Sequence, residues 1–301
     1  MKKIFIFAFI LSGALAAANA QTIDPATPQQ MPQTTVGTTR TARTASPQKD
    51  ANQSVDKTRG GVIAKKNPVY RRPTKEDLRL AAPDAAAAAK YEAFLRQPKT
   101  GLVRLLSDQG CQENVNLVNA SDFCIRYKNL FGGSSFSFRK DTYTLGRFAD
   151  VVYKNGVLYS YGKMTLGFIA DLGEGVAPAD VSSQTPGAKY IFDFAAPVDL
   201  ASITAASANF QNGFRADGFI YRKAHRLQEN HTYLLRSVAY RRREQVERNK
   251  IVYDDLNNDE RRDVIIVFQV VGLSGDAEGG ATLLWKELRR TNAAKIEMNK
   301  K

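Results

Sequence analysis

The sequence holds only two cysteines, two histidines and one tryptophan in 301 residues. Two imidazoles and two thiols are too little material for a transition-metal site or an imidazole-centred triad. There is no G-x-S-x-G elbow. Ser134 and Ser135 follow Gly132-Gly133 but run on into a strand pattern, not the helix such an elbow needs. No glycine-rich phosphate loop is present either. The nearest approach, Gly173-Glu174-Gly175 after Asp171, carries carboxylates that repel phosphate. One long apolar run and a mean hydropathy of -0.35 exclude a multi-span membrane protein. No internal repeat is visible. Apolar residues are plentiful at 43%, which excludes a wholly disordered chain.

Charge is present in excess of one sign: 43 basic residues against 30 acidic ones, a net +13. Two of the positive charges, Lys2 and Lys3, precede the apolar run Ile4 to Leu15, and Ala18-Asn19-Ala20 follows it. This is the pattern of a secretory signal, with cleavage expected before Gln21. Losing Lys2 and Lys3 takes the net charge from +13 to +11. The run is shorter than the roughly 20 apolar residues a spanning helix needs, so no membrane span is expected after cleavage. The expected destination is the periplasm or the exterior. Disulfides persist there, and Cys111 and Cys124 are expected to pair. Nucleic acid is not an expected partner after export.

Residues 21–73 differ from the rest. They are rich in Thr, Gln, Ala, Pro, Lys and Arg, and the first aromatic is Tyr70. Such a segment buries too little apolar surface to offset its ordering entropy, so it reads as a disordered basic tether. Order is expected over 74–290 as a single domain, with 291–301 as a charged tail. Thr74 and Asp77 form a capping-box pattern opening a short helix. Asp84 caps a second helix to about Gln97, whose Ala87, Tyr91, Phe94 and Leu95 share one stripe. From Gly101 onward the dominant period is two. Strands are expected over 135–138, 148–154, 157–161, 166–172, 190–194, 218–223, 232–241, 264–271 and 281–288. Val264 to Phe268 is continuously apolar, as for a strand covered on both faces. A further helix fits 199–210. Strands follow strands without regular helical crossovers. The predicted class is therefore mainly β, a β-rich α+β domain: an antiparallel sandwich or partly open barrel with two or three short helices.

Three groups of residues carry candidate chemistry. Arg241-Arg242-Arg243 and Arg248 form the densest basic run, suited to an anionic polymer or to solvent. The segment from Asp255 to Asp263 has side-chain oxygens at positions 1, 3, 5 and 9 and runs into the apolar strand. It resembles the D-x-[DN]-x-D-G-x-x-D calcium loops of integrin-type and related extracellular β repeats. The resemblance implies Asp255, Asn257, Asp259 and Asp263 as side-chain calcium ligands and the Arg261 carbonyl as a fifth. It departs at position 6, where Glu260 stands in place of the turn glycine. The third group follows from Asn155-Gly156, a two-residue hairpin turn that fixes register. It pairs Tyr153 with Leu158, Val152 with Tyr159 and Asp150 with Tyr161. Val151, Tyr153 and Leu158 then face a core, while Asp150, Tyr159 and Tyr161 share a partly wet face suited to a glycan or peptide.

These readings converge on an exported, non-catalytic β-rich module that binds or supports an envelope or extracellular component such as a glycan or anionic polymer. The alternatives are a carboxylate-dependent hydrolase of extracellular polymers and a calcium-dependent adhesion module; no other cofactor is implied. Intact-mass analysis of the exported product should show a chain beginning at Gln21 that takes up no alkylating agent before reduction. Two freely alkylated thiols would contradict it.

Overall fold

The computed structural model describes residues 56–58, 61–64, 72–111, 121–243, 245–248, 251–257, 259–275 and 279–296, all within the unit Asn52–Lys301. The expected signal and most of the tether lie outside the described residues. The first strands are β1 (Asp56–Thr58) and β2 (Gly61–Ala64). Helices α1 (Lys75–Leu80), α2 (Ala85–Lys90) and α3 (Glu92–Leu95) lead to β3 (Thr100–Leu106). Helix α4 (Asp122–Arg126) precedes β4 (Ser135–Ser137), β5 (Thr142–Tyr143), β6 (Val151–Lys154), β7 (Val157–Ser160) and β8 (Thr165–Glu174). Helices α5 (Lys189–Asp193) and α6 (Leu200–Asn212) come before β9 (Phe214–Ala216), β10 (Phe219–Arg222), β11 (Ala224–Arg226) and β12 (His231–Ala239). The last strands are β13 (Gln245–Arg248), β14 (Ile251–Asp254), β15 (Arg262–Ser274) and β16 (Gly280–Asn292).

Three sheets result, in the orders β3-β16-β15-β12-β8-β10-β9, β11-β7-β6-β4-β5 and β1-β2-β14-β13. Pairing is antiparallel except between β2 and β14. The seven- and five-stranded sheets enclose the first core as a sandwich. Val151, Tyr153 and Leu158 meet Tyr233, Leu235, Ile266 and Phe268 there. The other face of the seven-stranded sheet buries Phe168, Leu234, Ile265 and Val267 with Ile191 of α5 and Phe210 of α6. Strands β12 and β15 thus send alternate side chains into two different cores. That double covering is why Val264 to Phe268 reads as an unbroken apolar run.

Local signals explain the element ends. Thr74 and Asp77 cap α1 reciprocally, with the Asp77 amide donating to Thr74 Oγ1 and the Thr74 amide to Asp77 Oδ2. Asp84 and Asp199 accept from the Ala86 and Ser202 amides at the starts of α2 and α6. Asn155 and Gly156 both have positive φ, 50° and 78°, as the tight hairpin turn requires. The register is the expected one: Tyr153 opposite Leu158 and Val152 opposite Tyr159. Cys111 and Cys124 are disulfide-bonded, tying the turn after β3 to α4. Among the described residues no helix is long and apolar enough to cross a membrane.

Three expectations need correction. Residues 190–194, read as a strand, lie in α5 and its C-cap. The Phe194 amide reaches the Tyr190 carbonyl, and Tyr190 and Phe194, one turn apart, both pack against Phe168. A short aromatic run cannot separate helix from strand by period alone. Inside the expected tether, 61–64 pairs with the edge of β14. A tract of Val and Ile suffices for that pairing, although average composition over fifty residues hides it. The domain also continues beyond 290. Ala293 and Ile296 are buried, and the Arg241 and Ile296 amides bond to the Ala294 and Arg241 carbonyls.

The sheets are also joined through His225 of β11, whose Nε2–H donates to the Ile169 carbonyl of β8 at 3.0 Å. Burial holds the His225 imidazole below its ordinary value of 6.5, helped by Arg222 and opposed by Asp171 and the Ile169 bond. A base whose folded value is depressed binds fewer protons folded than unfolded. Its contribution is complete above about 6.5 and is lost as pH falls through the folded value. Denaturant midpoints measured from pH 8 to pH 5 should therefore fall on acidification, and more steeply in the parent than in His225→Gln. Parallel curves would contradict this account.

Candidate binding groove

The outer face of the β6–β7 hairpin forms one side of a groove of about 380 Å³. Strand alternation turns Leu158 fully into the core and Tyr159 out, and Tyr161 follows just past the strand end. Tyr159 and Tyr161 are 38% and 53% exposed, and they line the groove with Val152 and Lys154. The rest of the lining comes from other elements. Asp108 and Gly110 belong to the turn after β3, Ser135 to β4, and Arg147 to a tight helical turn over Gly146–Phe148. Arg147 lies over the buried Phe148 ring at 4.9 Å and reaches Asp255 at 3.4 Å. Asp108 accepts from the Gly110 amide and stands 4.0 Å from Lys154. The groove thus offers two tyrosine rings and two cations, with Asp108 as its one carboxylate.

Asp150, expected beside these tyrosines, is not in the groove. Its side chain is fully buried and accepts from Arg139 Nε at 2.7 Å, the Arg139 amide at 3.1 Å, Ser137 Oγ and Ser237 Oγ. It sits one residue before β6, where alternation no longer decides direction, and a buried guanidinium turns it inward. Its backbone keeps the expected pairing, the Tyr161 amide donating to the Asp150 carbonyl at 2.9 Å. Arg147, Asp108 and Ser135 carried no signal in the sequence, because turns distant in the chain deliver them.

The carboxylates of the calcium-like segment are taken by the protein's own cations. Asp255 faces Lys163 at 3.3 Å as well as Arg147. Asp259 accepts from Arg139 at 3.0 Å and from Arg261 at 2.5 Å. Asp263, already within β15, takes both Nε and Nη2 of Arg236 on the neighbouring strand at 3.1 and 2.8 Å. Asn257 is exposed in a turn. Among the described residues no group of three or more His, Cys, Asp or Glu could hold a metal ion. Guanidinium and ammonium groups thus stand beside the carboxylates that the resemblance implies as ligands. In the basic run, Arg241 Nε donates to the Ala293 carbonyl, so this residue fastens the C-terminal segment. Protein-family models, curated proteins and solved structures yield no match to the chain.

Arg139 and Asp150 are both fully buried, so their pairing sets the local energetics. Burial alone would lower the Arg139 guanidinium, but Asp150 and Asp259 outweigh it and hold it above its ordinary value. Removing one partner of such a pair strands a buried charge and typically costs about 3–5 kcal/mol. Asp150→Ala should lose stability on that scale in urea denaturation. Arg139→Met with Asp150→Leu should recover part of the loss, because no charge is then stranded between these two positions. A double variant as unstable as the sum of the singles would contradict the coupling.

Proposed function

We propose that the protein is an exported, non-catalytic module that binds an acidic envelope or extracellular glycan in the groove on the β6–β7 hairpin. The observation that carries this reading is the exposure of Tyr159 and Tyr161 side by side, with Arg147 and Lys154 in the same recess. Tyrosine rings take the C–H faces of sugars, their hydroxyls bond sugar hydroxyls, and the two cations suit acid substituents. Two-carboxylate hydrolysis needs a pair of carboxyl groups flanking one bond, and Asp108 alone lines this groove. A binding role is therefore favoured over the hydrolase reading. The Asp255–Asp263 geometry gives no support to calcium-dependent adhesion.

Calorimetric titration with oligogalacturonate tests the reading. The mature protein should bind it, and Tyr161→Ala should weaken binding by about three- to tenfold, the scale of one aromatic contact. The same change should leave stability within about 0.5 kcal/mol, as for an exposed side chain. Leu158→Ala, on the buried face of the same hairpin, should cost about 2–5 kcal/mol of stability. Unaltered affinity in Tyr161→Ala would remove the groove as the binding site.

A further inference from the structure

Strand register orders the hairpin groove from end to end. Ser135 of β4 pairs with Val152 of β6, and Val152 with Tyr159 of β7, so these three lie side by side on the outer face. The next row on that face, toward the turn, is Lys154, Val157 and Arg226, carried by β6, β7 and β11. Arg226 is exposed and reaches over the turn: a Cβ placed at Gly156 would lie 3.2 Å from its Nη1. Arg147 belongs to the other end. Its carbonyl accepts from the Lys163 amide at 2.8 Å, just past Tyr161. The Tyr161 amide bonds the Asp150 carbonyl, which places Tyr161 in the row of Asp150. From that row to the row of Lys154 the strand rises by about 13 Å. The groove therefore has a cationic region at each end and the open rings of Tyr159 and Tyr161 between them.

Each end keeps a positive charge after its own pairs are counted. At the turn end Lys154 and Arg226 stand against Asp108, which is 4.0 Å from Lys154 and also takes the Gly110 amide. At the other end Arg147 and Lys163 share Asp255, at 3.4 and 3.3 Å. Lys163 donates a hydrogen bond to that carboxylate. Arg147 makes no hydrogen bond through its guanidinium among the described residues, and its Nε is buried without a partner. One small acid group cannot touch both ends. We propose that the groove takes a linear acidic oligosaccharide laid along the hairpin, with one acid group on Arg147, another on Lys154 and Arg226, and sugar rings on the two tyrosines between. This inference rests on the groove being the glycan site; it adds the length of the ligand and a role for Arg226. Guanidinium donors left unfilled by the fold form strong charge-assisted bonds to an oxyanion. A second acid group on the same chain then binds at high effective concentration, which a single sugar cannot exploit.

The mature protein is titrated calorimetrically with galacturonate and with its linear hexamer. The hexamer should bind roughly a hundredfold more tightly than the single sugar, well beyond what counting its units gives. Arg226→Gln should weaken hexamer binding by about three- to tenfold, the loss of one charge-assisted contact. Lys154→Gln should do the same, and the double variant should lose more than either single. Both side chains are exposed, so these changes leave the fold in place. A single sugar that binds as tightly as the hexamer would overturn the proposal, and so would parental hexamer affinity in the double variant. Either result, with Tyr161→Ala still weakening the hexamer, would leave the groove as a glycan site and remove only its two-ended reading. Hexamer binding untouched by Tyr161→Ala, or no hexamer binding at all, would remove the groove itself and this inference with it.

Discussion

Arg139 is the residue on which the arrangement of the hairpin groove depends. Its guanidinium is enclosed between the two sheets and makes contacts in every direction its donors allow. Nε goes to Asp150, one terminal nitrogen to Asp259 and the Glu260 carbonyl, the other to the Phe148 and Ala149 carbonyls. Asp150 in turn takes Ser237 from the facing sheet. A buried ion pair of this kind need add little net stability, since desolvation offsets most of its attraction. What it does add is an arrangement that cannot slip: a shift of one strand would strand a charge. The turn carrying Phe148 and Arg147 is set by Arg139 on one side. Lys140 and Asp141 follow it in the chain on the other.

The hairpin groove is therefore built against one piece of core. Phe148, fully buried, has the Arg147 guanidinium 4.9 Å and the Lys140 ammonium 5.3 Å from its ring. Arg147 lines the hairpin groove, while the Lys140 side chain is buried and paired with Asp259 at 3.6 Å. Cations resting on a fixed ring lose less freedom when a ligand arrives than cations on free surface stems, which is how a rigid core assists recognition. Asp259 serves the same end on the other flank, taking Arg139 and Arg261. Burial holds the Arg261 guanidinium below its ordinary value, with Asp259 opposing.

The sequence made legible what depends on near neighbours. The Asn155-Gly156 turn set the hairpin register, and with it the burial of Leu158 and the exposure of Tyr159 and Tyr161. The capping pattern of Thr74 and Asp77 started α1 where expected, and the double-sided run at Val264 marked a central strand. Pairings between distant residues were not legible. Asp150 reads as a wet-face residue until Arg139 is placed beside it. Asp255, Asp259 and Asp263 read as calcium ligands until Arg147, Arg139 and Arg236 arrive from elsewhere in the fold. Alternation reports which side of a strand a residue faces, not what charge waits there.

That difference bears on how the net +13 should be understood. The pairs between Arg139, Arg236, Arg261 and their aspartates cancel and add nothing to it, whereas residues 1–73 alone carry eleven basic against three acidic residues. At the hairpin groove the positive charge available for recognition is Arg147 and Lys154, beside two tyrosines. There a cation stands next to an aromatic ring and within reach of a carboxylate. A featureless polyanion would need only the cations. Rings and hydrogen-bond acceptors beside them add selectivity for a ligand with apolar faces and hydroxyl donors as well as acid groups, which is the chemistry of an acidic saccharide.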